Sequence, residues 1–180
     1  MNDAAALAVC ILVSGCRGPI CDSCVPSSKL TLEDVKLGKL AQVFEGVRTT
    51  IANLDPAVGE PYRIIQCCDL VDGRVAARRK LKEVFLDPSR LPARIAVRSG
   101  DILVALAAVD VTIAIVRQEL AWCVPDHHVA VIRAPDETSR ARIAEYLSTT
   151  EGRATLTALK SGKVVRHLLT RDLRNVELPF

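Results

Sequence analysis

Short apolar runs separated by turn residues fill most of this chain, and helical periodicity arrives only beyond Pro135. The runs are Tyr62-Arg-Ile-Ile-Gln-Cys-Cys-Asp-Leu, Glu83-Val-Phe-Leu, Ile102–Leu106, Thr112–Val116 and His128–Ile132. Each is too short to sustain a helix and is rich in β-branched residues, so each is expected as a strand. Asp72-Gly73 between two such runs is a hairpin signal, because both positions tolerate positive φ. Ser99-Gly-Asp101 is expected to turn the chain into the strand at Ile102, with Thr112–Val116 as its partner. Thr31-Leu-Glu-Asp resembles a helix cap, and Val35–Phe44 reads as a strand or short helix followed by a strand. Asp136–Leu147 places Ala141, Ile143, Ala144 and Leu147 on one helical face. Arg153–Leu159 is a second helix or its continuation, Gly162 breaks it, and Thr170 starts the last element. Strands first and helices late exclude regular βαβ alternation. The expectation is α+β: a twisted mixed or antiparallel sheet with a few short helices.

The chain has 180 residues, enough for one domain with a real core, and is 49% hydrophobic but only 3% aromatic. Its core is therefore built from Val, Ile, Leu and Ala, and stacking on aromatic platforms, the usual grip on single-stranded nucleic acid, is excluded. The net charge of +3 says little by itself. Its distribution says more. Arg78, Arg79, Lys80, Lys82, Arg90, Arg94 and Arg98 form one basic tract, and Arg153, Lys160, Lys163, Arg166, Arg171 and Arg174 form another. Two such tracts neutralise phosphates if the fold presents them together.

Residues 1–29 lack periodicity and are expected as a poorly ordered extension, with the folded domain spanning 30–180. No stretch reaches the ~20 apolar residues of a membrane span. Val13-Ser-Gly-Cys16 looks like a lipoprotein cleavage box behind an apolar run, but the Met-Asn-Asp ahead of it is negative where a signal peptide is positive. Of seven cysteines, Cys10, Cys16, Cys21 and Cys24 form the only cluster, a lone Cys-x2-Cys with no second knuckle, and no zinc site is assigned to it. Cys67, Cys68 and Cys123 read as small core residues of a cytoplasmic protein.

The motifs of common enzymes are missing. There is no glycine-rich cofactor loop, no acidic-or-Asn-Pro-Pro-aromatic methyltransferase motif and no phosphate-cradling Gly-x4-Gly-Lys-Ser/Thr. Lys160-Ser-Gly-Lys163 lacks the first glycine. Asp101 and Asp110 lie near strand ends without the acid-x-Lys partner of a metal-dependent nuclease. Asp101 is read instead as a turn residue at the strand start. His127 and His128, as neighbours on a strand, are expected to face opposite ways and not to chelate together. No Ser or Cys sits in a nucleophile elbow. A non-catalytic chain without a cofactor is expected.

The order of these pieces resembles a known family. Val35-Lys-Leu-Gly-Lys-Leu-Ala-Gln-Val-Phe-Glu-Gly, Pro61-Tyr-Arg-Ile-Ile-Gln-Cys-Cys-Asp-Leu-Val-Asp-Gly-Arg, Ser99-Gly-Asp-Ile-Leu-Val, Tyr146-Leu-Ser-Thr-Thr-Glu-Gly and the segment from Ser161-Gly to Leu178-Pro179 are similar to the target recognition domain of the DNA specificity subunit of Type I restriction–modification systems. The match runs from about Val35 to Pro179, one half-subunit-like copy. Two features depart from the family. Ala105-Leu-Ala-Ala-Val-Asp-Val stands where members carry a polar Arg/Ser/Gly stretch, and the long spacer helix that follows in specificity subunits is not present.

The resemblance implies a target-recognition-domain fold that reads half of a split double-stranded DNA site. It also implies partners: a DNA adenine methyltransferase subunit, an endonuclease, and a possible second copy of itself, with no membrane. The expected DNA contacts are Arg48, Thr49 and Thr50 in a first loop, Tyr62, Arg63, Gln66 and Arg74 around the hairpin, and Ser161, Lys163, Arg166 and His167 in a late loop. Arg and Gln suit bidentate pairing with guanine and adenine. Two rivals remain: an exported or lipid-anchored protein-binding module held through Cys16, and a degenerate recognition domain that no longer binds DNA.

Overall fold

A computed structural model describes residues 34–48, 54–117, 120, 122–162 and 166–179. The amino-terminal extension and its cysteines lie outside the described residues. The described elements are, in chain order, β1 (Asp34–Lys36), α1 (Leu37–Leu40), β2 (Gln42–Glu45), β3 (Glu60–Ile65), β4 (Leu70–Val71), β5 (Arg74–Val75), β6 (Lys82–Leu86), β7 (Ile102–Ala105), β8 (Ile113–Ile115), β9 (Cys123–Pro125), β10 (Val129–Arg133), α2 (Glu137–Ser148), α3 (Thr150–Leu159), α4 (Thr170–Arg174) and β11 (Glu177–Pro179). The fold is α+β, as the order of strand and helix signals requires.

Three sheets carry the strands: β2-β10-β7-β8-β5-β4, β6-β3-β9, and the pair β1-β11. The large sheet is mixed, because β5 joins β8 in parallel while β10 pairs antiparallel with both β2 and β7. In the small sheet, β3 runs antiparallel to β6 and parallel to β9.

Alternation along the central strands divides the core in two. Leu103, Ala105, Val129, Val131 and Phe44 point towards the small sheet and pack with Ile64, Ile65, Val84, Leu86 and Val124. Ile102, Val104, Ala130, Ile132 and Val43 point the other way and pack with Ile143, Leu147, Leu156, Leu168 and Leu173 of the helices. Successive side chains of a strand point to opposite faces, so a strand apolar at every position, as Ile102–Ala105 is, must be covered on both. The layers are helices, large sheet, small sheet.

Local signals fix several boundaries. Asp136 caps α2, its carboxylate accepting hydrogen bonds from the Ser139 backbone N–H and hydroxyl at 2.8 Å each. These bonds, the backbone one foremost, hold the Asp136 carboxyl below the usual aspartate range. Thr149 ends α2 and caps α3, accepting from Gly152 N–H at 3.0 Å, so the two helices are distinct and meet at a corner. Asp72 and Gly73 adopt φ of 50° and 72°, the mirror-image turn that matches strand twist and joins β4 to β5. Asp101, read as a turn residue, is one: its Oδ2 accepts from Arg98 N–H at 2.8 Å. It is also buried and paired bidentately with Arg133, at 2.8 Å from Nε and 2.6 Å from a terminal nitrogen. Arg133 further donates to the Arg94 and Ala96 carbonyls and lies over the Phe44 ring. Of the cysteines read as core residues, Cys123 is buried and Cys67 half-buried, but Cys68 is exposed. It lies inside a 3-10 turn, Cys67–Asp69, that follows β3 rather than continuing the strand.

Candidate nucleic-acid interface

The expected contact residues divide by which end of the large sheet they occupy. Ala105, at the end of β7, pairs with Val129 at the start of β10, and Glu45, at the end of β2, pairs with Ala130. The segments that leave this end are therefore those after β2, after β7 and before β10. Val47 bridges Asp126, and the backbone N–H of His127 donates to the Val47 carbonyl at 3.0 Å. Arg48, exposed, follows directly. β3 arrives at the same end, since the Asp126 N–H donates to the Ile65 carbonyl at 2.8 Å. Gln66 comes next, half-buried, its N–H bound to Asp69 Oδ2 at 2.8 Å.

The late loop closes on this end too. Ser161 and His167 exchange backbone hydrogen bonds of 2.9 and 2.7 Å, and the Leu168 N–H donates to the Leu106 carbonyl at 2.9 Å. Gly162 adopts a φ of 123°, a backbone region open mainly to glycine. Arg166 is exposed and donates to the Lys160 carbonyl at 3.2 Å. Lys160 itself is buried, its ammonium donating to the carbonyls of Ala108 and Val109 at 2.9 and 3.2 Å. Burial pushes its pKa down, against the opposing pull of Asp110. The Ala-rich stretch after β7 thus supplies backbone acceptors that anchor the late loop.

Arg48, Gln66, Ser161, Arg166 and His167 consequently share one end of the sheet. Thr49, Thr50 and Lys163 lie outside the described residues. Three expected contacts sit elsewhere. Tyr62 is buried in the core against the Trp122 ring, 5.9 Å between centroids, and has no free face to offer. Burial, with Glu60 adding to it, pushes its phenol pKa up. Arg63 is half-buried and engaged by Glu83 at 2.7 Å and the Leu81 carbonyl at 3.1 Å. Arg74 is exposed but pairs with Ile115, whose partner Ile102 opens β7 at the opposite end. There it lines a hollow of about 200 Å³ with Arg78 and Arg117.

The histidine pair departs from its expectation. His127 and His128 occupy the turn between β9 and β10, not a strand, and their rings stack at 3.7 Å. Their Nδ1 atoms lie 2.9 and 3.5 Å from the buried Asp126 carboxylate. The alternation rule fails because Asp126 is where the chain passes from the small sheet to the large one. Gly46 shows how tight this corner is: a Cβ there would lie 2.0 Å from the Pro125 carbonyl oxygen. The sequence offered one signal of the corner, a carboxylate followed at once by two imidazoles.

The fold is similar to part of solved specificity subunits from type I restriction–modification systems. One such structure, the HsdS subunit from Thermoanaerobacter tengcongensis, matches 81% of this chain and 37% of its own at 20% identity, with a TM-score of 0.53. A second, from a structure of the type I R-M system concerned with its complex assembly and conformational transition, matches the same shares at 20% identity and a TM-score of 0.56. At this identity the likeness is one of fold. The chain spans just over a third of the length of these neighbours, 37%. No protein-family model matches the sequence, and no curated protein does. Among the described residues no helix is long and apolar enough to cross a membrane.

Proposed function

We propose that this chain is a non-catalytic target recognition module that reads one half-site in double-stranded DNA. In this reading it acts in the cytoplasm and directs a DNA methyltransferase subunit, with its nuclease, to that site. The observation that carries the reading is the gathering of Arg48, Gln66, Ser161, Arg166 and His167 at one end of the large sheet. Two cations, an amide, a hydroxyl and an imidazole on separate loops over a rigid sheet are what backbone registration plus base-edge reading requires. The fold likeness to specificity subunits supports it.

Arg48 and Arg166 would fix the phosphate backbone, while Gln66, with a bidentate amide, suits adenine. The test is selection from a randomised duplex pool at two salt concentrations, with and without a methyltransferase subunit. An enriched motif of a few base pairs is expected. Replacing Arg48 and Arg166 by Ala should weaken binding to all sequences alike and lower the slope of log affinity against log salt by about one to two units. An unchanged slope removes both from the interface. Binding without enrichment would leave a backbone-only binder, and no binding in any condition would favour a degenerate domain.

A further inference from the structure

We propose that Asp126, His127 and His128, with His167 as a further donor, form a binding site for a first-row transition-metal dication, with Zn²⁺ as the best fit. This inference goes beyond DNA binding and shares only His167 with that reading. One donor atom from each of the first three residues lies within 4.8 Å of the others. A tetrahedral ion with bonds of about 2.0–2.1 Å holds its ligands roughly 3.3–3.5 Å apart. The Asp126 carboxylate turns one oxygen to each imidazole, Oδ1 at 2.9 Å from His127 Nδ1 and Oδ2 at 3.5 Å from His128 Nδ1, close to that spacing. The His167 ring centre lies 6.0 Å from that of His128. Two imidazoles on one such ion sit roughly 5 Å apart, centre to centre, so side-chain rotations must part the His127 and His128 rings, now 3.7 Å apart, and draw the His167 ring in.

The backbone holds this arrangement before any ion arrives. Asp126 donates to Ile65 O and accepts from Val129 N–H, both at 2.8 Å, and His127 is tied to Val47. The His128 carbonyl accepts from Leu106 N–H at 2.7 Å and from the Cys67 thiol at 3.1 Å. Asp126 is buried, while the two imidazoles are half-exposed, so the site has a rigid floor and an entry from solvent. The ligand chemistry selects the ion. Imidazole nitrogen with one carboxylate suits zinc and its neighbours, whereas magnesium and calcium demand oxygen donors. An ion here would replace the hydrogen bond that now links the His127 imidazole to Asp126, and through His167 it would tie the late loop to the β9–β10 corner.

The test is equilibrium dialysis of the full chain against Zn²⁺, with Co²⁺ as an optical probe, on the natural chain, the His127→Gln/His128→Gln double variant and His167→Gln. The natural chain should hold one equivalent that the double variant lacks or binds at least about tenfold more weakly, with His167→Gln intermediate. Circular dichroism checks that each variant is folded. If the double variant is not, His128→Gln alone carries the comparison, its side chain being 44% exposed. Zinc stoichiometry and affinity unchanged in the folded variant would overturn the site. So would cobalt bound only with the near-ultraviolet charge-transfer band of thiolate ligation, which places the ion on cysteine sulfur instead. Because the readout is metal content, its failure leaves the DNA reading standing, and loss of DNA binding leaves this one.

Discussion

At the scale of residues, the Asp101–Arg133 pair joins the turn before β7 to the end of β10. Asp101 is 2% exposed and meets the guanidinium through two hydrogen bonds, while Arg133 reaches the Arg94 and Ala96 carbonyls. Removing one partner strands the other charge away from water. Asp101→Ala should therefore cost about 3–5 kcal/mol in urea unfolding, whereas the Asp101→Leu/Arg133→Met double variant should lose less. Equal losses would mean that packing, not charge, holds this junction. The turn role of Asp101 was legible in Arg98-Ser-Gly-Asp101, because a side chain bonding its own turn is a local event. The Arg133 partner was not, since it lies 32 positions away and no spacing rule connects them. Tyr62 failed for a related reason: polar and apolar residues alternate around it, but which face of β3 meets the core depends on β6 and β9.

At the level of elements, capping and turn chemistry carried over best. The Asp72–Gly73 hairpin and the start of α2 at Asp136 are decided within a few residues. The cap makes a pH-dependent claim. The Asp136 carboxyl is held low by the Ser139 N–H, so its contribution is present above the ordinary aspartate pKa and is lost as pH falls through the depressed folded value. Asp136→Ala should lower the melting temperature at neutral pH, and the gap to the natural chain should close in strong acid. A gap independent of pH would assign the loss to something other than the ionised cap. The parallel β3–β9 pairing had no local signal at all. Cys123–Pro125 is only three residues long, and it forms a strand because β3 already presents an open edge. That pairing sets the Asp126 corner, which is why the histidines converge when strand alternation said they would diverge.

For the molecule as a whole, the α+β class followed from the late position of the helices, and the two-faced burial of β7 from its unbroken apolar run. The gathering of Arg48, Gln66 and the late loop at one end could not be read, because it depends on sheet order. Nor could the separation of Arg74 from them, although it stands only eight residues from Gln66. β1 and β11 pair antiparallel, so Asp34 lies directly opposite Pro179, with backbones roughly 5 Å apart. Entrance and exit are thus neighbours, and the unit can be spliced into a host polypeptide without prying that host open. A circular permutant joining Pro179 to Asp34 through a short Gly-Ser linker, and opened between Asp72 and Gly73, should keep its circular dichroism and cooperative melting. Loss of cooperative melting would mean that the hairpin is needed to assemble the sheet. In a cassette of this kind, exchanging the whole unit between hosts is mechanically simpler than rebuilding one of its surfaces residue by residue.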